Sequence, residues 1–290
     1  MQYYKPVHLA NNVVMSCDML RLSFNMNEHR LKDFNKYINE LALNNSHYDV
    51  KTYYNLGLFK YRNLVVVSNV HTGCSFSMGF HFNDLTKTTT TCFIEFNPNK
   101  TLSNDYVYPF LAYIKKYCMF LEIVRFDIAI DIPIARQHIS LEKDARKYNK
   151  MYRLEQKNRD MSNCTEYLGQ RNTSGFVKLY NKQIESNLDY HLTRLELTLD
   201  KLSYEEFKSH LPSIAIESEY TLHNLAQLND TERVLYYLLN ENLNKTQYFK
   251  MLGRKMQDKL KKILFEENSI LDISESEFYK LMISIRQIVA

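Results

Sequence analysis

Two acids, Asp127 and Asp131, lie in a segment that alternates between apolar and polar residues from Arg125 to Ile132. Such alternation is typical of a half-buried strand with one face in the core. Both acids then lie on the polar face, within about 14 Å of each other along the strand. Carboxylates held close to a core are costly unless a cation lies beside them. That cation is either an arginine, which makes a salt bridge, or a metal ion, which makes a site.

A second alternating segment, from His191 to Leu199, carries Arg194 and Glu196 on its polar side. In both segments an arginine precedes an acid by two residues. Two such strands could form one polar surface of a sheet, with three carboxylates on it. The sequence leaves two interpretations open. Either the acids form a metal or catalytic site, or they form a structural network with Arg125 and Arg194.

A predicted hairpin over residues 164–182 carries a tyrosine between two lysines. Its second strand places Lys178, Tyr180 and Lys182 on the face opposite Val177 and Leu179. A positive field favours the phenolate form of a tyrosine and attracts phosphate, so Tyr180 is a candidate nucleophile. The alternative is an ordinary half-exposed strand tyrosine, because the chain has 22 tyrosines.

The composition excludes several other classes of protein. The 290 residues are 45% hydrophobic and 24% charged, as in soluble globular proteins. The sequence has no apolar run of membrane-spanning length and no signal-peptide pattern at its start, so we expect a cytoplasmic protein. The five cysteines and nine histidines show no metal-binding spacing, which leaves carboxylates as the candidate metal ligands.

The periodicity of the chain predicts an α+β protein. An antiparallel-rich sheet packed with helices is expected first, and the pattern becomes helical beyond Asp200. We therefore predict a larger domain over residues 1–210 and a small all-helical C-terminal domain over residues 211–290. We also expect a charged helix at about residues 140–158.

The densest basic cluster lies in a helix predicted over residues 246–265. Lys255, Lys259 and Lys262 fall on one face of this helix. A solvated helix face is one explanation of the cluster. The other is a surface that follows the phosphates of DNA, which would make the C-terminal domain a DNA-recognition domain.

The order of these motifs resembles the replication initiators of Gram-positive rolling-circle plasmids, with the related relaxases of integrative elements and replication initiation factors of phages. The pattern is Arg-x-Asp-x-x-x-Asp, then Tyr-x-Gly-x-Arg-x-x-Ser with Tyr-Asn-Lys, then Arg-x-Glu, within about residues 120–200. The matching residues are Arg125, Asp127, Asp131, Tyr167, Gly169, Arg171, Ser174, Tyr180, Asn181, Lys182, Arg194 and Glu196.

The resemblance implies an enzyme that nicks one strand at an origin and stays attached through a phosphotyrosine, with residues 1–210 as its catalytic nicking and joining domain. It makes Asp127, Asp131 and Glu196 the ligands of Mg²⁺ or Mn²⁺, which are hard cations suited to carboxylates. It makes Tyr180 the nucleophile, with Tyr167 as the alternate.

The DNA backbone would be held by Arg171, Lys178 and Lys182. The family commonly has an aspartate at the position of Asn181, so this chain lacks any acid function there.

The implied partner is origin DNA, as a single-stranded or cruciform nick site with its flanking duplex. A host helicase and a homodimer are further partners that the resemblance allows, and no membrane is implied. Two other functions stay open: a non-catalytic DNA-binding regulator of a mobile element, and a metal-dependent nuclease that uses water.

Overall fold

The computed structural model describes residues 4–44, 47–53, 63–80, 89–101, 107–141, 152–156, 160–216, 228–241, 251–264 and 271–289. One antiparallel sheet of eleven strands lies at its centre. These strands are β1 (Val7–His8), β2 (Val14–Asn27), β3 (Tyr48–Tyr53), β4 (Asn63–Asn69), β5 (Ser75–Phe80), β6 (Thr89–Phe96), β7 (Phe120–Ile132), β9 (Tyr152–Gln156), β10 (Cys164–Leu168), β11 (Val177–Asn181) and β12 (Thr193–Leu199). Strands β8 (Ile139–Leu141) and β13 (Ile214–Ile216) form a separate antiparallel pair.

Eight helices are described around the sheet. They are α1 (Glu28–Asn44), α2 (Pro98–Thr101), α3 (Tyr108–Tyr117), α4 (Lys182–Ser186), α5 (Tyr204–His210), α6 (Asp230–Glu241), α7 (Arg254–Leu264) and α8 (Glu275–Val289). The predicted α+β class with an antiparallel-rich sheet is therefore confirmed. Within the described ranges, no helix has both the length and the apolarity to cross a membrane.

The order of the strands puts the charged segments in the middle of the sheet. The path runs β3-β4-β5-β6-β2-β7-β12-β11-β10-β9, and β1 pairs with one end of β2. Strands β7 and β12 are therefore covered on both edges. Their apolar face is fully buried, with Ile128 and Ile130 of β7 beside Leu195 and Leu197 of β12. Each such side chain contributes about 1.5–3 kcal/mol on burial, so the position of the opposite, polar face is firmly fixed.

A β-bulge interrupts the pairing of β2 with β7. Cys17 pairs with Ile128 and Met19 pairs with Asp127, which leaves Asp18 as an extra residue on β2. A bulge of this kind redirects the side chain of the extra residue. Here it brings the Asp18 carboxylate within hydrogen-bond distance of Arg194 on β12.

A buried salt bridge lies under the outer part of the sheet. Arg136 is fully buried and donates to the Glu166 carboxylate at 2.5 Å. Glu166 also accepts from the Tyr152 hydroxyl at 2.9 Å and from the backbone N–H of Leu141 at 3.2 Å. This network joins β8, β9 and β10. The pattern of residues 140–158 predicted a helix, which is wrong for Tyr152–Gln156, because those residues form a strand of the sheet.

The described parts of residues 211–290 are mostly helical, but they include β13. The buried residues of α8 belong to the same hydrophobic core as the sheet, and Phe278 stacks on Phe207 of α5 at 4.9 Å. Helix α8 is therefore packed on the part of the chain that we assigned to the catalytic domain. The division at residue 210 stays a prediction.

Candidate functional site

The register of the central strands brings the three predicted acids to one face of the sheet. On β12, Arg194 lies opposite Asp131, and Glu196 lies opposite Ala129. Cross-strand partners in a sheet share a face, so Glu196 lies on the same face as both aspartates and between them. We call this surface the polar face.

Arg194 is the hub of one half of the polar face. Its Nε and one Nη donate to the two Asp131 oxygens at 2.6 and 2.7 Å, and its other Nη donates to Asp18 at 2.8 Å. Burial acts to lower the pKa of Arg194, but the hydrogen bonds and charge of Asp131, with the charge of Asp18, raise it. Asp131 thus forms a bidentate salt bridge, as the structural interpretation predicted.

Asp18 is a site residue that the sequence motifs missed. Its carboxylate accepts from Arg194 and, at 2.9 Å, from the side-chain amide of Asn97. Its charge also acts to raise the pKa values of Asp127 and Glu196. The sequence signal was an acid within the segment that forms β2, and the bulge that turns this acid onto the polar face is not visible in the pattern.

Tyr180 and Glu196 form the candidate reacting pair. The Tyr180 hydroxyl donates to Glu196 Oε1 at 2.7 Å. Lys178 Nζ lies 3.7 Å from Glu196 Oε2 and 3.7 Å from the centre of the Tyr180 ring. Strands β11 and β12 hold all three residues in register, since Lys178 is directly opposite Glu196. The predicted placement of Tyr180 between two lysines is confirmed, because Lys182 Nζ also lies 5.9 Å from its ring.

The electrostatics of Tyr180 differ from the prediction. We expected a positive field that favours the phenolate, but the pKa of Tyr180 is raised, first by burial and then by the charge and hydrogen bond of Glu196. Tyr180 is 5% exposed, so water stabilises its charged form poorly. Lys178 lies over the ring face, while the carboxylate lies beside the oxygen. The resting tyrosine is therefore a neutral phenol.

Burial also raises the pKa of Glu196, against the opposing effect of Lys178. A carboxylate whose pKa is raised is a better proton acceptor than an exposed one. The hydrogen bond from Tyr180 is thus directed at a group that can take its proton.

Tyr167 occupies a similar arrangement nearer the edge of the sheet. Its hydroxyl donates to Glu155 Oε2 at 3.0 Å, and Arg153 lies 4.4 Å from the centre of its ring. Tyr167 pairs with Lys178 in register, which places both candidate tyrosines on the polar face. The pKa of Tyr167 is raised by burial and then by Glu155.

Asp127 lies at the other end of the polar face. Burial raises the pKa of its carboxyl, although Arg125 and Thr198 act in the opposite direction. Arg125 is 3.7 Å away, and the buried Asp127 Oδ1 accepts no hydrogen bond. An unpaired buried carboxylate oxygen is costly, so this atom is available to a further donor or cation.

The three predicted metal ligands do not form a site for one ion in this arrangement. Both oxygens of Asp131 are taken by Arg194, and Glu196 Oε1 is taken by Tyr180. Across the described residues, no three acid, histidine or cysteine side chains lie close enough to hold a metal. Asp127 Oδ1 and Glu196 Oε2 each lie 3.7 Å from one cation, Arg125 and Lys178 respectively. Binding of Mg²⁺ or Mn²⁺ by this trio stays a prediction.

Two residues of the Tyr-Asn-Lys motif are engaged in local structure. The Asn181 side chain accepts from the backbone N–H of Ile184, as a cap of α4, and donates to the Ser162 carbonyl at 2.6 Å. An aspartate could not make the second bond, so the structure gives a physical reason for the amide. Lys182 is hydrogen-bonded to Glu185 one turn along α4.

Arg171 lies apart from the tyrosine pair. It is exposed in the turn between β10 and β11, where Asn172 accepts a hydrogen bond from Arg125 at 3.4 Å. This turn leads into β11 at Val177. Tyr180 lies near the other end of β11, about 10 Å along the strand from Val177. The residue next to Arg171 thus contacts Arg125, and the role of Arg171 at the DNA backbone stays a prediction. Ser174 of the same turn donates to Glu206 of α5 at 2.6 Å.

The basic helix α7 is confirmed over Arg254–Leu264. Lys255 is exposed on it. Lys259 donates to both oxygens of Glu232 on α6, at 2.8 and 2.7 Å, so this lysine joins two helices. The side chain of Lys262 lies outside the described residues. DNA binding by this face stays a prediction.

No protein-family model and no curated protein matches the sequence. Among solved structures, the chain is similar to the structure of a rolling circle replication initiator protein from Geobacillus stearothermophilus, at 13% identity and a TM-score of 0.37. The match covers 87% of this chain and 97% of that chain. A TM-score this low does not establish a common fold, and the function proposed below is based on the geometry of the polar face.

Proposed function

We propose that this chain nicks one strand of DNA with a tyrosine nucleophile, as a rolling-circle replication initiator or a relaxase. The observation that carries the proposal is the hydrogen bond of Tyr180 to Glu196, with Lys178 beside both groups. A nucleophile, a proton acceptor and a cation thus lie together on rigid central strands, which is the arrangement that covalent catalysis requires.

The proposed step is a transesterification. Glu196 accepts the hydroxyl proton of Tyr180, and the phenolate oxygen forms a bond to the phosphorus of the scissile phosphodiester. The bond from phosphorus to the leaving sugar oxygen breaks, and that oxygen takes a proton from water. The products are a phosphotyrosyl ester and a free sugar hydroxyl. Because one ester replaces another, the reverse reaction can reseal the strand.

The cations of the polar face supply the charge that the step needs. The transferring phosphate bears negative charge, and Lys178 and Arg194 flank Tyr180 on the same face. Lys182, which is paired with Glu185, lies with its Nζ 5.9 Å from the centre of the Tyr180 ring. Cations close to the phenol oxygen act to lower the raised pKa of Tyr180, as Arg194 does, whereas the negative charge of a bound phosphate acts to raise it. The proposed step therefore needs these cations to stay close to the oxygen when the phosphate binds.

A second candidate function is a DNA-binding regulator without cleavage. It is favoured by the small exposure of Tyr180 and its satisfied hydroxyl, which are also features of a structural tyrosine. The two functions differ in one observable, a covalent bond between protein and DNA.

The test is to trap that bond. The full chain is incubated with Mg²⁺ or Mn²⁺ and supercoiled DNA that carries the region flanking its own gene, and is then denatured and digested with nuclease and trypsin. Cleavage after lysine and arginine places Tyr180 in the peptide 179–182 and Tyr167 in the peptide 160–171. Mass spectrometry therefore identifies the linked tyrosine directly. We expect a nucleotide on the peptide 179–182.

A nucleotide on the peptide 160–171 would transfer the nucleophile to Tyr167. Nicking without any adduct would support a nuclease that uses water. Binding without nicking or adduct would support the regulator.

The predicted cofactor is tested separately. We expect nicking to be lost in EDTA and restored by Mg²⁺ or Mn²⁺. Broadening of protein NMR signals by substoichiometric Mn²⁺ would locate an ion without reference to activity, and Asp127→Asn should abolish broadening at the polar face. Full nicking in EDTA would contradict the prediction.

A further inference from the structure

Two cavities meet at Pro6, close to the candidate site. The first, of about 240 Å³, is lined by Asp18, Asp131 and Arg194 of the polar face, and also by Lys100 and Lys182. The second, of about 530 Å³, lies between the segment around β1 and the helix α8. Pro6 lines both, so the two cavities are adjacent.

The charged residues that line the two cavities are mainly basic. The second cavity is lined by Lys5, His8 and Lys280, and no acid lines it. In the first cavity the two acids are both hydrogen-bonded to Arg194, and the cavity is also lined by Lys100 and by Lys182, which is paired with Glu185. A surface lined mainly by basic residues is complementary to a chain of phosphates.

The N-terminal segment, residues 4–8, contributes to the lining of both cavities and is held in place by hydrogen bonds. The backbone N–H of Cys17 donates to the hydroxyl of the buried Tyr4 at 2.5 Å. The backbone N–H of Lys5 donates to Ser284 Oγ on α8 at 2.7 Å, and Val7 pairs with Met15. The segment beside both cavities is thus fixed to the sheet and to α8.

The nearest acid on α8 is engaged elsewhere. Glu277 lies one turn before Lys280 and accepts from the Ser274 hydroxyl at 2.7 Å and from its backbone N–H at 2.8 Å. This is a capping box at the start of α8. Lys280 is exposed and lines the cavity.

We propose that the two cavities form one groove, from Lys182 past Pro6 to Lys280, that binds single-stranded DNA on one side of the nick. The groove begins beside Tyr180. The identity of the bound strand as the nicked strand therefore rests on the proposed function. A single strand suits the groove better than a duplex, because the first cavity is small and its walls come from the sheet itself.

The test measures binding of a fluorescently labelled oligonucleotide of twelve thymidines by anisotropy, between 50 and 200 mM NaCl. The double variant Lys5→Ala/Lys280→Ala removes two cations from the distal cavity. We expect the salt slope to fall by about 1.4 and the affinity at 0.1 M salt to fall about 25-fold, since each phosphate contact to a single strand contributes about 0.7 to the slope.

The matched control is Lys32→Ala/Lys36→Ala on α1, which removes the same net charge from exposed positions that line neither cavity. We expect this control to bind within about twofold of the unmodified chain, because distant exposed charges are screened at these salt concentrations. Circular dichroism melts should show that both variants fold.

The groove is overturned if the Lys5/Lys280 variant binds like the unmodified chain, if the control loses as much affinity, or if the unmodified chain does not bind the oligonucleotide. These results do not depend on cleavage. A chain that binds through the groove but never forms a DNA adduct would contradict the proposed function and leave the groove standing.

Discussion

The two candidate tyrosines have the same set of neighbours at different depths in one sheet. Tyr180 on β11 has a carboxylate, Glu196, on the adjacent strand β12. Tyr167 on β10 has a carboxylate, Glu155, on the adjacent strand β9. Each ring also has a cation against it, Lys178 in the first case and Arg153 in the second.

The difference lies in what covers these groups. Strand β12 has neighbours on both sides, and Glu196 is largely buried, whereas β9 ends the described sheet and Glu155 and Arg153 have more than half of their side chains exposed. Burial strengthens electrostatic effects and limits movement. The comparison therefore teaches that position in the sheet, not the type of neighbour, distinguishes the surroundings of Tyr180 from those of Tyr167.

The largest expected effect is on cleavage. Tyr180→Phe keeps the ring and removes the hydroxyl, so we expect nicking and adduct formation to be abolished while DNA binding is retained. Its stability should fall by about 1.5–3 kcal/mol at most, because one hydrogen bond to a charged group is lost. Nicking assays on supercoiled DNA and urea unfolding measure the two effects.

The matched variant is Tyr167→Phe, for which we expect measurable nicking. The reverse result would show that the exposed tyrosine is the nucleophile. If both variants still form an adduct, neither tyrosine is the nucleophile.

The next effect is on stability and compares the two arginines. Arg194→Leu leaves the partly buried Asp131 and Asp18 without their cation, so we expect a loss of about 3 kcal/mol in the free energy of unfolding, the lower end of the range for a buried pair. Arg153→Leu removes an exposed partner of Glu155 and should cost about 0.2–1 kcal/mol. Urea unfolding at pH 7 measures both. Equal losses would mean that depth in the sheet does not determine these energies.

The third effect is on the dependence of stability on pH. The pKa of Glu196 is raised above its ordinary value of 4.5, so the folded protein holds this proton more tightly than the unfolded chain. Its contribution to stability is present below pH 4.5 and is lost as the pH rises through the raised pKa.

In Glu196→Gln we therefore expect a smaller fall in stability as the pH rises above 4.5, measured by urea unfolding across that range. Nicking should also be lost in this variant, because the proton acceptor is absent. An unchanged pH profile would remove Glu196 as a buried titrating group.

The smallest effect concerns paired and unpaired cations on α7. Lys255 has no ion pair with the residues that the structure describes, whereas Lys259 pairs with Glu232. We expect Lys255→Ala to lower the salt slope of duplex DNA binding by about 0.9, the value for one phosphate contact. Lys259→Ala should instead lower the thermal stability. No change in slope for Lys255→Ala would leave this helix as a solvated face.

Part of the site was predictable from local pattern. Alternation over Arg125–Ile132 and His191–Leu199 correctly predicted two strands and the residues on their polar faces. The lysines around Tyr180 were predicted on the same grounds. These predictions succeed because side chains in a strand alternate with a period of two, which depends only on the local backbone.

The partners of those side chains could not be predicted in this way. The bulge that turns Asp18 towards Arg194, the pairing of Asp131 with Arg194, and the buried Arg136–Glu166 salt bridge all join residues distant in sequence. The pKa of Tyr180 is raised, whereas the lysines around it predicted that it would be lowered. The direction of the shift depends on burial and on Glu196, and the sequence shows neither.

The sequence by itself determined which residues alternate, which side of each strand is polar, and that the acids and arginines of β7 and β12 share the polar sides of their strands. The tertiary structure alone decided that β12 lies between β7 and β11, which sets Glu196 beside Tyr180 and gives Asp131 to Arg194. The physical reason is that strand order and register are fixed by burial of the whole apolar face, a property of the folded core and not of any one segment.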